Sequence, residues 1–207
     1  MNFLSYLISG ISLGSVYALI ALGYTMVYGI AKMLNFAHGD VIMVGAYAII
    51  TTMGLSGNLW LGILLAIVIC TLAGVFIEKL AYRPLRGASP LAVLITAIGV
   101  SYFLQNAALL IWSSNPKIFP DMASFLPSIQ LGNAVLTGST MVTILACIII
   151  MIGLTLFTNK TKMGKAMRAC SEDKAAAQLM GINVNATISA TFAIGSALAA
   201  IARVLLC

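Results

Sequence analysis

Four side chains able to hold or pass charge, Lys32, Asn35, His38 and Asp40, fall within the nine-residue stretch KMLNFAHGD. The stretch separates an uncharged run of 31 residues from another of 37, and His38 is the single histidine of the chain. Groups of these types at this spacing can line a polar pathway or form its gate. They can equally make a loop at a membrane boundary in which Asp40 pairs with Lys32. A second polar set, Thr96, Ser101, Gln105 and Asn106, interrupts the apolar run 91–112. Uncharged groups there either hydrogen-bond to neighbouring helices, for about 0.6 to 2 kcal/mol net, or let a zwitterion slide past without trapping it. Covalent or acid–base catalysis is a poor fit, because one histidine and the acids Asp40, Glu78, Asp121, Glu172 and Asp173, mostly in loops, supply no convergent nucleophile and base. Cys70, Cys147, Cys170 and Cys207 have neither a metal-ligand spacing nor the pattern of a disulfide framework.

The elements that position these residues follow from composition. The 207 residues are 61% hydrophobic and 8% charged, with a mean hydropathy of +1.08, where soluble domains carry roughly 25% charged residues. The reading is a polytopic membrane protein. In lipid every backbone N–H and C=O must be satisfied internally, which leaves a helix bundle or a closed β-barrel. Uncharged runs 1–31, 41–77, 87–112, 122–159 and 175–202 are far longer than barrel strands and reach the ~20 apolar residues of a spanning helix. The turn-type cluster GLSGN at 54–58 divides the second run, and the irregular part 127–138 shortens the fourth. The fold class is therefore all-α, a single transmembrane domain over 1–207 with six segments near 4–30, 36–53, 58–77, 91–112, 139–157 and 185–205.

Six segments leave alternating connections. One face carries Lys32, Lys79, Arg83, Arg86, Lys160, Lys162, Lys165, Arg168 and Lys174, the other only Lys117, so the first face is cytoplasmic and the amino terminus outside. The first span lacks a basic start and a small-residue cleavage site, and is read as a retained helix. The +6 charge reports topology and contact with anionic lipid; basic residues interleaved with spans are a poor nucleic-acid surface. Gly10, Gly14 and Ala18 recur every four residues, a stripe read first as internal packing and second as a contact for a partner subunit. In the second segment only 41–53 is cleanly apolar, too short to span. Its helix must start near Asn35, which could cap it, or be broken.

The cytoplasmic loop KTKMGKAMRACSEDKAAAQLMGI, 160–182, reads as two short helices. Gly164 opens the first; Ser171 and Asp173 can cap the second, over 174–180, which Gly181 closes with Ile182 as the hydrophobic follower. Its alanines keep the surface small-sided, and Leu179 and Met180 are anchors of the kind that enter a partner's groove. The competing reading is an interfacial helix on the headgroups.

At this loop the sequence resembles a known family. GKAMRACSEDKAAAQLMGI followed by TFAIGSALAA is similar to the coupling loop of bacterial branched-chain amino-acid ABC transporter permeases of the LivH type. ALGYTMVYGIAKMLNFAHGDVIMVGAY is similar to that family's amino-terminal signature, and GVSYFLQN to a third motif. The resemblance covers essentially the whole chain. It implies a multi-pass inner-membrane permease paired with a second permease, two ATP-binding cassette subunits and a periplasmic amino-acid-binding protein that delivers leucine, isoleucine or valine. Gly164, Arg168, Glu172, Asp173 and Gly181 match the coupling loop, taken as 159–182 with Leu179 as an anchor. Asn35, His38, Gly39 and Asp40 match the signature, and with Thr96, Gln105 and Asn106 they form the candidate substrate pathway. No cofactor or metal is implied on this chain. It contains no phosphate-cradling GxxxxGK[ST], so ATP and Mg would be used by the partners. Family members are usually longer, so the chain is read as shortened at its carboxyl end; Arg203 stands where the family tends to have a small residue and must snorkel outward. A stand-alone secondary carrier or channel is the alternative; it should place coupling acids within its spans, and only Asp40 comes near one.

Overall fold

A computed structural model describes residues 3–117, 129–131, 134–136 and 138–206; Asp121 and Cys207 lie outside them. Among the described residues, six helices are long and apolar enough to cross a membrane. They are α1 (Phe3–Ala31), α2 (His38–Ser56), α3 (Leu59–Ile77), α4 (Pro90–Trp112), α5 (Gly138–Lys160) and α8 (Val184–Leu205), with two shorter helices, α6 (Lys162–Glu172) and α7 (Lys174–Leu179), between the last two. The chain is a polytopic helix bundle. One small addition to the all-helical expectation lies in the irregular segment, where Ile129–Leu131 and Ala134–Leu136 pair antiparallel with Gln130 opposite Val135.

Helix boundaries follow local chemistry. Ser56 ends α2, Gly57 takes the left-handed conformation at φ 63°, and the Asn58 side chain accepts from the Trp60 and Leu61 amides to start α3. The GLSGN cluster is thus a tight helical hairpin. α3 runs on into a π-helical turn, Glu78–Tyr82, and a 3₁₀ turn, Arg83–Leu85, before Ser89 caps α4 with Pro90 in its first turn. The second segment is one continuous helix of 19 residues. It begins at His38, and the expected cap is corrected: Asn35 does not cap it, Ala37 holds that position without a side-chain bond, and no break occurs.

α8 is the centre of the bundle. Of its span 56% is buried, against 11% for α4 and for α5, and it packs on α1, α2 and α3. Small residues make this possible. A Cβ on Gly195 would lie 3.0 Å from the Gly23 carbonyl of α1, one on Gly45 of α2 would lie 3.0 Å from Cys70 Sγ and 3.7 Å from Ala200 Cα, and one on Gly74 of α3 would lie 2.6 Å from Ser196 Cβ. Lipid tails are as apolar as leucine, so helices in a membrane gain most from such close backbone approach. The stripe Gly10, Gly14 and Ala18 does not serve this purpose. Gly10 and Gly14 are exposed with nothing within 4 Å of a Cβ, which overturns the internal-packing reading. Leu64, Leu72 and Phe76 of α3, Phe103 and Leu110 of α4, and Leu145 and Ile149 of α5 face outward as an apolar belt.

Candidate functional site

The residues of the 32–40 stretch separate into two environments. Asn35 is buried in the connection between α1 and α2, and its Oδ1 accepts from the Tyr82 hydroxyl at 3.1 Å. His38 is also buried, its ring edge-on to Tyr24 at 6.1 Å between centroids, beside the space that Gly23 leaves. Asp40, 8% exposed, accepts at 3.0 Å from Gln105 Nε2 of α4 and does not pair with Lys32. Gln105 in turn donates to Ser101 Oγ at 3.2 Å. Two polar sets 65 positions apart in sequence thus meet at one point between α2 and α4.

The other members do not converge there. Asn106 is exposed and donates to the Tyr102 carbonyl of its own helix. Thr96 is half-buried, and nine residues at 3.6 per turn put it on the opposite side of α4 from Gln105. Gly39 is exposed and opens onto a cleft of about 390 Å³ along α2, walled by Ile42, Met43, Tyr47 and Ile50 and reaching Lys117 and Arg203. Its residues 39 to 50 span about 16 Å of helix axis. Higher on the same helix, Tyr47 stacks on Trp112 at 4.8 Å, and Trp112 Nε1 donates to Thr51. Arg203 sits in the last turn of α8, where a cation complements the helix dipole.

The 160–182 region forms the two expected helices with small corrections. α6 opens at Lys162, two residues before Gly164, and Thr161 caps it, its hydroxyl accepting from the Gly164 amide at 3.0 Å. Gly164 is buried for a different reason: a Cβ there would lie 2.5 Å from Thr158 Cα, so only glycine lets α6 fold back onto the end of α5. Asp173 caps α7 through the Ala175 and Ala176 amides, whereas Ser171 donates to the Arg168 carbonyl and caps nothing. Gly181, at φ 81°, closes α7, and the Ile182 amide donates to the Ala177 carbonyl at 3.0 Å, the bond of a Schellman ending. Arg168 Nη1 ties α6 to Asn159 of α5 at 3.0 Å. Met167, Cys170 and Ala177 are buried against Ile30 of α1 and Ile194 of α8. Glu172 and Asp173 face solvent, and Leu179 and Met180 are 89% and 83% exposed.

Between these regions lies a network the sequence reading did not contain. Glu78, fully buried in the π-helical turn, forms an ion pair with Arg86 and accepts from the Ser189 hydroxyl at 2.5 Å. Arg86 also donates to Asn185 in the first turn of α8. Lys174 at the start of α7 donates to the Ala31 carbonyl at 2.6 Å. Burial lowers the Lys174 pKa below the usual lysine value, and the nearby charges of Arg86 and Lys32 lower it further, more than offsetting an opposite effect of Cys170. A lone glutamate closing an uncharged run, eight residues before an arginine, was the available signal. π-Helical turns of this kind occur often at functional sites.

Residues 6–207 match the family model described as branched-chain amino acid transport system / permease component. The chain belongs to this family. Within it, the permease-family chain is 45% identical to the high-affinity branched-chain amino acid transport system permease protein BraD of Pseudomonas aeruginosa, with 99% of this chain and 71% of that protein covered. It is 44% identical to the corresponding permease protein LivH of Escherichia coli K12 and 43% identical to that of Salmonella typhimurium, each over 100% of this chain and 71% of the relative. No solved structure matches this permease-family chain.

Proposed function

We infer that this chain is the membrane-spanning permease subunit of an ATP-driven importer of branched-chain amino acids, working with a second permease, two ATP-binding cassette subunits and a periplasmic binding protein. The observation that carries the coupling half of this reading is α7. It is held on the bundle by Lys174, Ala177 and Ile182, yet it presents Leu179 and Met180 almost fully to solvent. Two large apolar side chains at the tip of a fixed short helix suit a groove on an ATPase partner. ATP and Mg belong to that partner. Residues 159–182 form the coupling loop within the single domain 1–207, and Gly164, Arg168, Asp173 and Gly181 set its shape while Glu172 stays on its surface.

The cargo half rests on the cleft along α2. A branched-chain amino acid has an apolar side chain and a zwitterionic head; the cleft offers Met43, Ile50 and Tyr47, and Asp40, bonded to Gln105, follows its rim residue Gly39 on the same helix. Gly39 opens its mouth, and Asn35 and His38 hold the adjoining turn as a hinge; Thr96 and Asn106 of α4 point away from this path. Transport proceeds by alternating access, in which ATP-driven closure of the partners biases the bundle between two states. The nine-to-one bias of basic residues supports an inner-membrane orientation with α6 and α7 in the cytoplasm and the amino terminus outside.

The experiment is copurification of the chain with its second permease and ATPase, then leucine-stimulated ATP hydrolysis in liposomes containing the binding protein. Leu179→Asp with Met180→Asp should abolish the stimulation and leave membrane insertion intact. Stimulation at the unaltered level would refute the coupling assignment, and uptake without any ATPase would favour a secondary carrier.

A further inference from the structure

Three cations from three distant parts of the sequence converge on one cleft of about 340 Å³: Lys32 at the end of α1, Arg86 before α4, and Lys174 at the start of α7. No acidic residue lines it. Glu78 balances one charge by pairing with Arg86, which leaves the group with an excess of positive charge. Arg86 Nε is buried without an acceptor among the described residues. The crowding is felt by Lys174, whose pKa is lowered by burial first and then by its two neighbours. Lys32 is held there at a backbone cost. Its φ of 57° lies in the left-handed region, where glycine is the favoured residue and a lysine is strained. Charges that repel one another in a shared cleft are stabilised together by an anion.

The remaining walls identify its source. Tyr28, Leu34 and Leu94, from α1, its following connection and α4, give the cleft an apolar side at the ends of two spanning helices, where headgroup and hydrocarbon meet. A soluble anion would meet these walls at a loss; an acyl-glycerol would cover them. We propose that this cleft binds the phosphodiester of an anionic glycerophospholipid, with Lys32, Arg86 and Lys174 around the phosphate and the glycerol against Tyr28 and Leu94. Basic pockets between spanning helices take such headgroups. A lipid held there touches both α1 and α7, so it would brace the end of the bundle that carries the 160–182 helices. The inference rests on the membrane reading of the six helices and is independent of the cargo.

Native mass spectrometry of the full chain released from detergent, incubated with equal parts of phosphatidylglycerol and phosphatidylcholine, tests it. Phosphatidylglycerol should be retained preferentially, and Lys32→Gly, which removes the charge while relaxing the backbone, should reduce its retention about fivefold. Lys174→Gln should do the same, and Lys160→Gln, at the end of α5 outside the cleft, should change nothing. Equal retention of the two lipids, or equal losses in the Lys32 and Lys160 variants, overturns the proposal. Excess inorganic phosphate that displaces phosphatidylglycerol assigns the cleft to a free anion and also overturns it. So does unchanged lipid retention in variants that instead lose copurification with the ATPase, since the cations would then serve a partner carboxylate.

Discussion

Midway along α8, contacts with α1, α2 and α3 run through glycine, alanine and serine; at its amino-terminal end the same helix meets its neighbours through Asn185 and Ser189 and the ion pair behind them. The first kind of contact has one satisfactory geometry, because backbones a few ångströms apart admit no second register without a clash. The second has alternatives. A guanidinium with several donors and a carboxylate with two oxygens can exchange partners, and water near the span ends can take up what is released. The difference sets a middle held by close backbone approach against an end, where α6 and α7 attach, held by exchangeable polar contacts.

The largest effect should come from the charged end. Glu78→Ala leaves Arg86 without its carboxylate and Ser189 without its acceptor, which should destabilise the fold by about 3 kcal/mol, the lower edge for a broken buried pair. The lower edge applies because Arg86 keeps 16% of its side chain exposed. The midpoint of thermal unfolding in detergent measures it. Adding Arg86→Met should recover most of the loss, since replacing both partners removes the unpaired charge. A double variant no better than Glu78→Ala would mean that the network serves some purpose other than mutual neutralisation.

Gly195→Leu should come next. The new side chain would start 3.0 Å from the Gly23 carbonyl and from Val27 Cγ2, and the carbonyl belongs to a helix backbone that cannot turn aside. Overpacking of this kind costs about 1–3 kcal/mol. A thermal midpoint unchanged from the parent chain would show that α1 and α8 do not cross at this point.

Much of this arrangement was legible in the chain itself. The five uncharged runs give the six spans to within three residues at each end, because length and the absence of charge are sufficient conditions for a spanning helix. The turn at 54–58, the Asp173 cap and Gly181 were readable for a related reason: caps and left-handed turns are local, and their partners lie within a few positions. The cap of α2, not its start, differs from the expectation, because Asn35 has two competing acceptor roles and the Tyr82 hydroxyl, 47 residues away, takes its oxygen. Asp40 meeting Gln105 and Glu78 meeting Ser189 are likewise choices made in three dimensions, and periodicity carries no trace of them. The 160–182 helices were the better-read half of the candidate site, because they are built from near neighbours, while the pathway residues are assembled across α2 and α4.

The smallest effect tests the comparison most directly, because it uses the same substitution on the same pair of residue types. Gly10 and Gly195 are both helical glycines beside other small residues, and sequence alone gave the Gly10 stripe the stronger packing signal. Yet a Cβ on Gly10 meets nothing within 4 Å, whereas one on Gly195 meets a neighbouring backbone. Gly10→Leu should therefore change the stability of the isolated chain by no more than about 0.5 kcal/mol, as surface substitutions do. Measured beside Gly195→Leu in the same detergent, it separates spacing from contact. If both variants lose stability equally, the amino-terminal half of α1 is packed in solution against something within this chain, and the division into a close-packed middle and a polar end must be redrawn to include it. If only Gly195→Leu is affected, close approach to α8 decides which glycines matter, and a four-residue repeat of small side chains carries no weight without a neighbour to receive it.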